Sequence, residues 1–283
     1  MVSEGIACSN ARVKSRITED GKLIPYELQV FSRSVFVRNG FEAVSTASKG
    51  MRDSDAEPTV NKGDGSASNE RSARRAKSRV RDLLFANLDD MRYMVTLTFS
   101  AEAVDRFSYE QIVKKLNTFL DNSVRRNGLM YLLVAERHKD GAVHFHGIVN
   151  EGLRLVDSGY FKRGKYTLSR AEVADRRRGD KPIYNIKGFS FGFNSVIEIT
   201  GKSGKERACS YALKYITKSA EKVGGRYYLH GGAFRSPVYS YFDVGINDIP
   251  GEEYELEGNL AYKAVRCSET ISGLMQKGVL FEE

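Results

Sequence analysis

Long apolar segments are missing from this sequence. No run approaches the roughly 18–20 apolar residues that span a bilayer as a helix. The opening Met1-Val2-Ser3-Glu4-Gly5 also lacks the basic-then-apolar layout of a signal peptide. A membrane or secreted protein is therefore not expected, nor a membrane partner. Cysteine is scarce. Cys8, Cys209 and Cys267 are odd in number, widely spread and without a CxxC pair. That argues against a disulfide framework or a thiolate zinc site and suits a reducing cytoplasm. There is no internal repeat and no phosphate-cradling GxxxxGK[ST] loop, because Gly201-Lys202-Ser203 has Val196 where the first glycine belongs. An ATP-driven motor is not encoded.

Positive charge, by contrast, is plentiful. Lysine and arginine total 44 against 36 acidic residues, a net charge of +8 over 283 residues. Such an excess favours polyanionic partners without requiring one. The cations are clustered: Arg71, Arg74, Arg75, Lys77, Arg79 and Arg81 crowd one segment, and Arg176-Arg177-Arg178 form another. Each cluster reads either as a solvated face or as a set of phosphate contacts.

Along the chain, residues 1–50 form an N-terminal extension. Within it, residues 23–47 alternate well enough for two short strands, one through Tyr26, Leu28 and Val30 and one through Val35, Val37 and Phe41. Residues 51–72 are rich in Asp, Ser, Gly and Asn and read as a flexible linker. Val80, Leu83, Leu84 and Leu88 then recur at helical spacing, so residues 70–88 are expected to form a basic amphipathic helix leading into a main domain at 73–222. In that domain residues 94–99 alternate as a strand. Ser108 and Gln111 have capping-box spacing, and Ile112, Leu116, Phe119, Leu120 and Val124 keep helical period until Asn127-Gly128. Strands are expected at 129–136 and 143–149 around a turn containing Asp140-Gly141. A polar, basic, irregular insertion follows at 151–187, then a strand at 189–199 and a helix at 206–222. Residues 223–283 are a C-terminal extension with several tyrosines and glycines and no assignable role. The order β-α-β-β-insertion-β-α predicts an α+β fold, a four- to five-stranded antiparallel sheet with two helices on one face, ferredoxin-like or RRM-like.

Of only four histidines, three fall close together: His138, His144 and His146. On a strand, His144 and His146 project from one face and Phe145 from the other. Two imidazoles there can bind one divalent ion if a further ligand joins them. Glu136, on the neighbouring strand, is the nearest acid. A two-residue Asp140-Gly141 loop would set Glu136 opposite Phe145, on the wrong face. A three-residue loop, with Gly141 in the left-handed position of a bulge, sets it beside His144 or His146. The second geometry makes Glu136 the preferred third ligand, with His138 a weaker candidate. Two nitrogens and a carboxylate accept Mn²⁺, Mg²⁺ or Zn²⁺.

On the last predicted helix, Tyr211, Lys214, Tyr215 and Lys218 fall within an arc of roughly 100°. Ala212, Leu213, Ile216 and Ala220 lie on the other side. Tyrosines covering the edge of a core account for most pairs at this spacing, but not for a lysine three residues after each. A tyrosine hydroxyl is a poor nucleophile until a cation stabilises its phenolate, which a neighbouring lysine does. With a metal to polarise a phosphate, these parts suit phosphoryl transfer from DNA to tyrosine.

Taken together, Thr96-Leu97-Thr98-Phe99, then Glu136 with His144-Phe145-His146, then Tyr211-Ala212-Leu213-Lys214-Tyr215-Ile216-Thr217-Lys218 resemble the three motifs of HUH endonucleases. In particular they resemble rolling-circle replication initiators of small single-stranded DNA phages and related plasmids, such as microvirus gene A and filamentous-phage gene II-like proteins. The resemblance spans about residues 80–222. It implies that His144, His146 and Glu136 hold Mg²⁺ or Mn²⁺, and that the first motif is structural and helps hold the DNA through Thr96 and Thr98. Arg74, Arg75, Lys77 and Arg79 would add contacts to the strand. Tyr211 or Tyr215, assisted by Lys214 and Lys218, would attack the phosphate of single-stranded origin DNA, leaving a 5′-phosphotyrosine and a 3′-OH primer. A tyrosine after the histidines matches initiators and insertion-sequence transposases, whereas relaxases carry it before them. With no motor motif, a separate host helicase would unwind the duplex and a DNA polymerase would extend the primer, in the cytoplasm of a bacterial host. Two other readings stand beside this one: a non-catalytic single-stranded nucleic-acid-binding module, and a metal-dependent hydrolase using water as nucleophile.

Overall fold

A computed structural model describes residues 7–38, 65–173, 179–218, 223–250, 254–257 and 260–280. Phe41, most of the expected linker (51–64), Arg176-Arg177-Arg178 and the end of the last predicted helix (219–222) lie outside the described residues. The chain opens with β1 (Ala7–Ser9), β2 (Ala11–Ile17), β3 (Leu23–Phe31) and β4 (Phe36–Arg38), followed by α1 (Gly65–Ala86). Next come β5 (Tyr93–Thr98), α2 (Tyr109–Asn127), β6 (Tyr131–Arg137) and β7 (Val143–Val149). Then follow β8 (Leu155–Arg163), β9 (Tyr166–Ser169), β10 (Lys181–Ile186), β11 (Asn194–Glu198) and α3 (Lys202–Lys218). The chain closes with β12 (Leu229–Gly231), β13 (Val238–Phe242), β14 (Tyr254–Glu257), β15 (Leu260–Val265) and α4 (Ser268–Gln276).

Two compact units form, one from Met1–Ala47 with Arg235–Glu283, the other from Ser48–Phe234. In the first, five antiparallel strands lie in the order β13-β2-β3-β15-β14, so strands from the two ends of the sequence interleave. Ala11, Val13, Leu28 and Val30 pack with Phe242, Ile249 and Ile271 on one face. The opposite face buries charge. Lys14 stands across from Glu27 at 3.5 Å, and the Glu27 carboxylate also accepts hydrogen bonds from Gln29 Nε2 at 2.7 Å and Arg266 Nε at 3.3 Å. A carboxylate this deeply buried is tolerable because cations and an amide compensate it.

The second unit is an eight-stranded antiparallel sheet in the order β12-β6-β7-β5-β11-β10-β8-β9. Its centre, β6-β7-β5-β11, is the expected four-strand set, but the sheet is wider than four or five strands. The segment expected to be an irregular insertion supplies β8, β9 and β10, which extend the sheet beyond β11. Arg163 clamps Asp180 with two bonds, at 2.7 and 2.6 Å, joining the end of β8 to the start of β10. The expected fourth strand at 189–199 is shorter than its hydrophobic pattern, and α1 begins inside the segment read as linker.

Helix placement also departs from expectation. Ser108 caps α2, its hydroxyl accepting from the Gln111 N–H, and Gly128 ends the helix in the left-handed conformation at φ 64°. Ile112, Leu116 and Leu120 bury α2 against Val95, Leu97, Leu133 and Phe145. The core of α3, Ala208, Cys209, Ala212, Leu213 and Ile216, packs instead with Leu132, Val134 and Ile148, alongside Val80 and Leu84 of α1. Side chains alternate along β6 and β7, so these are opposite faces. The two helices therefore flank the sheet rather than sharing one face. An apolar stripe on a helix records that it is buried, not which sheet face buries it.

Candidate active site

The hairpin β6–β7 closes through three residues. His138 donates its N–H to the Ala142 carbonyl at 2.8 Å, the Gly141 N–H returns to the His138 carbonyl at 2.8 Å, and Gly141 takes φ 87°. This is the bulged loop that places Glu136 on the histidine face. Glu136 pairs directly with His144, and Val134 with His146. Glu136 Oε2 lies 3.4 Å from His146 Nε2. The His138 ring sits 5.0 Å from that of His144, while its Nδ1 lies 3.6 Å from Asp140 Oδ1.

On the other side of β7, β5 brings the first motif into the same site. Thr96 pairs with His146 and Thr98 with His144. Their hydroxyls hydrogen-bond the rings, Thr96 Oγ1 at 3.2 Å from His146 Nδ1 and Thr98 Oγ1 at 3.0 Å from His144 Nδ1. A hydroxyl accepting from Nδ1–H leaves the Nε2 lone pair of each ring for a ligand. Burial, and then the neighbouring His138, hold His144 below the ordinary imidazole range, which favours the neutral, ligating form. The spacing of both motifs, Thr-x-Thr and His-x-His, carries this match: two alternating pairs on adjacent strands meet residue for residue.

The donor set suits a hard or borderline divalent ion. Two donors each about 2.1 Å from one ion at a tetrahedral angle stand roughly 3.4 Å apart, and His146 Nε2 and Glu136 Oε2 have that separation. His144 is the adjacent third donor. Among the described residues no three such side chains are already closed around a single point, so closure requires side-chain rotation. His144, His146 and Glu136 are the residues that would hold the ion.

The same sheet face carries α3, whose core side rests on β6 and β7 through Leu132, Val134 and Ile148. Tyr211 is 45% exposed, and Lys214 is exposed beside it. The backbones of Tyr215 and Lys218 belong to the same helix, but their side chains lie outside the described ones. In the basic segment Arg71, Arg74, Arg75 and Arg79 are exposed, Arg74 pairing with Glu70 at 3.4 Å, while Lys77 and Arg81 are half-buried. Lys77 and Arg81 join Ser210, Leu213 and Lys214 around a cavity of about 210 Å³ between α1 and α3. The sequence pattern names Arg81 only as a member of the basic cluster and does not single out Ser210. Their signal is the i, i+4 spacing to Lys77 and Lys214, which is informative only once the two helices are known to touch.

All three motifs thus lie between the start of β5 and the end of α3. Residues 92–220 match the family model of the replication-associated protein ORF2/gene 2 protein. Over this stretch the chain is similar to a family of replication-associated proteins, in agreement with the resemblance to rolling-circle initiators carried by the motifs. Among curated proteins and among solved structures, none matches the chain. No helix among the described residues is long and apolar enough to cross a membrane.

Proposed function

We propose that the protein initiates rolling-circle replication by nicking single-stranded origin DNA through a tyrosine and later rejoining the strand. The observation that carries this reading is the register of three strands: Glu136, His144, His146, Thr96 and Thr98 share one face, and the helix bearing Tyr211 packs on that face. A bound Mg²⁺ or Mn²⁺ would polarise the scissile phosphate. The chain's own residues do the rest. Glu136, His144 and His146 orient the site, and Thr96 and Thr98 fix the rings. Lys214 stabilises the phenolate of Tyr211 as its proton leaves, and Lys218 is assigned the same role for Tyr215. The phenolate oxygen attacks phosphorus, the bond to the 3′-oxygen breaks, and that oxygen takes up a proton. The products are a 5′-phosphotyrosine and a free 3′-OH. The basic face supplies affinity for the strand. A host helicase and DNA polymerase would complete the reaction sequence in the cytoplasm of a bacterial host.

The test is incubation of the full chain with labelled single-stranded origin-type DNA and Mn²⁺, followed by denaturing electrophoresis. A covalent protein–DNA adduct is expected. It should vanish in the His144→Ala/His146→Ala variant, whose DNA binding persists. Binding without an adduct would indicate a non-catalytic module, and cleavage without an adduct would indicate water as nucleophile. A full adduct from the double histidine variant would remove the metal assignment.

A further inference from the structure

The cavity between α1 and α3 has a specific composition. Lys77 and Arg81 face it from α1, Ser210 and Lys214 from α3, and the buried Leu213 completes the lining. Each polar pair is spaced i, i+4, so two ladders of side chains meet where the helices pack. None of the five lining residues is acidic, and three are cations. Like charges gathered in one recess repel one another, and an anion seated among them reverses the sign of the interaction. At about 210 Å³ the recess is below the roughly 300–1,000 Å³ of ordinary small-molecule pockets. It has room for a compact anion rather than a nucleotide.

We propose that this cavity seats one backbone phosphate of the single strand, separate from the phosphate attacked by tyrosine. The proposal rests on the replication reading above. It also gives the site a position: Ser210 immediately precedes Tyr211 on α3, about 100° round the helix, so a phosphate held there anchors the strand on the flank beside the nucleophile. The basic segment is divided accordingly. Lys77 and Arg81 lie within about 40° of one another on the cavity flank of α1, whereas Arg75 and Arg79 lie roughly 160° away from them. The two pairs carry equal charge and have different roles.

The full chain is titrated onto a fluorescent single-stranded oligonucleotide in EDTA, so that nothing is cleaved, across a salt series. Lys77→Gln/Arg81→Gln should flatten the log–log salt dependence by about 1.4, two contacts at about 0.7 each. Arg75→Gln/Arg79→Gln should change it by less than half as much. A single neutral methylphosphonate linkage walked along the oligonucleotide should weaken wild-type binding at one position and have no effect there on Lys77→Gln/Arg81→Gln. The charge-preserving Lys77→Arg/Arg81→Lys variant should keep the wild-type slope, which separates loss of contact from loss of fold. Equal losses from both glutamine pairs, or no sensitive linkage, would overturn the cavity assignment alone. Displacement of DNA by inorganic phosphate at constant ionic strength, without a linkage effect, would show a free-anion site and overturn the strand assignment. A wild-type chain that binds no single strand would overturn the replication reading and this site with it.

Discussion

Thr98 stands opposite His144 across β5 and β7, and its hydroxyl lies 3.0 Å from Nδ1 of that ring. Thr96 repeats the relationship with His146 at 3.2 Å. Hydrogen bonds of this kind to the non-ligating nitrogen set the tautomer and aim of metal-binding imidazoles, and their loss typically costs 10–100-fold in metal affinity.

Thr96→Val/Thr98→Val, which keeps side-chain shape and β propensity, should therefore weaken Mn²⁺ binding by about 10–100-fold in titration calorimetry. Binding of single-stranded DNA in EDTA should stay within a few-fold of wild type. If instead DNA binding falls and metal binding is unchanged, the threonines hold the strand and not the rings.

Gly147 makes the hairpin register depend on a missing side chain. A Cβ there would come within 2.3 Å of the Leu132 carbonyl oxygen and 2.4 Å of Leu133 Cδ2. Gly147→Ala must push β6 away from β7, so it should destabilise the chain by about 1–3 kcal/mol in urea unfolding. Gly204→Ala is the control. A Cβ at that position on α3 would meet only Ile199 Cγ2, at 3.6 Å, and should stabilise by up to about 1 kcal/mol. An unchanged midpoint for Gly147→Ala would contradict the strand pairing.

Cys209 lies fully buried under α3, and burial pushes its thiol up to about 12. At mildly alkaline pH it carries almost no thiolate, the reactive form. Cys267 is exposed. Residue-resolved alkylation of the native chain should modify Cys267 readily and Cys209 only on unfolding. Rapid alkylation of Cys209 under native conditions would show that α3 does not pack on the sheet as described.

What could be read from the sequence follows from what each pattern depends on. The hairpin was legible because Asp140-Gly141 specifies a turn and the two-residue strand period then fixes which side chains share a face. Ser108, Gln111 and Gly128 likewise marked the ends of α2 locally. The side of the sheet taken by α3 was not legible, because an apolar stripe has no record of its partner. Strands β8–β10 escaped notice because much of β8 is exposed, with Val156 at 43% and Tyr160 at 49%, leaving little alternation to detect. β2 escaped for a different reason: Arg12, Lys14 and Arg16 alternate along it, and two of them are buried, Lys14 opposite Glu27. Charged residues read as solvent-facing until their partners are known. The Thr–His contacts needed one non-local fact, that β5 neighbours β7.

The central claim is that tyrosines on α3 are the nucleophiles. Tyr211 and Tyr215 are one helical turn apart, about 6 Å along the axis, so two successive attacks on phosphates at one site are compatible with the helix geometry. Tyr211→Phe, Tyr215→Phe and the double variant should be incubated with single-stranded origin DNA and Mn²⁺, and the adducts resolved by denaturing electrophoresis and peptide mass spectrometry. Each single variant should retain some adduct, mapped to the remaining tyrosine, and fail at strand transfer. The double variant should form none. Adduct formation at wild-type level by the double variant would contradict the account.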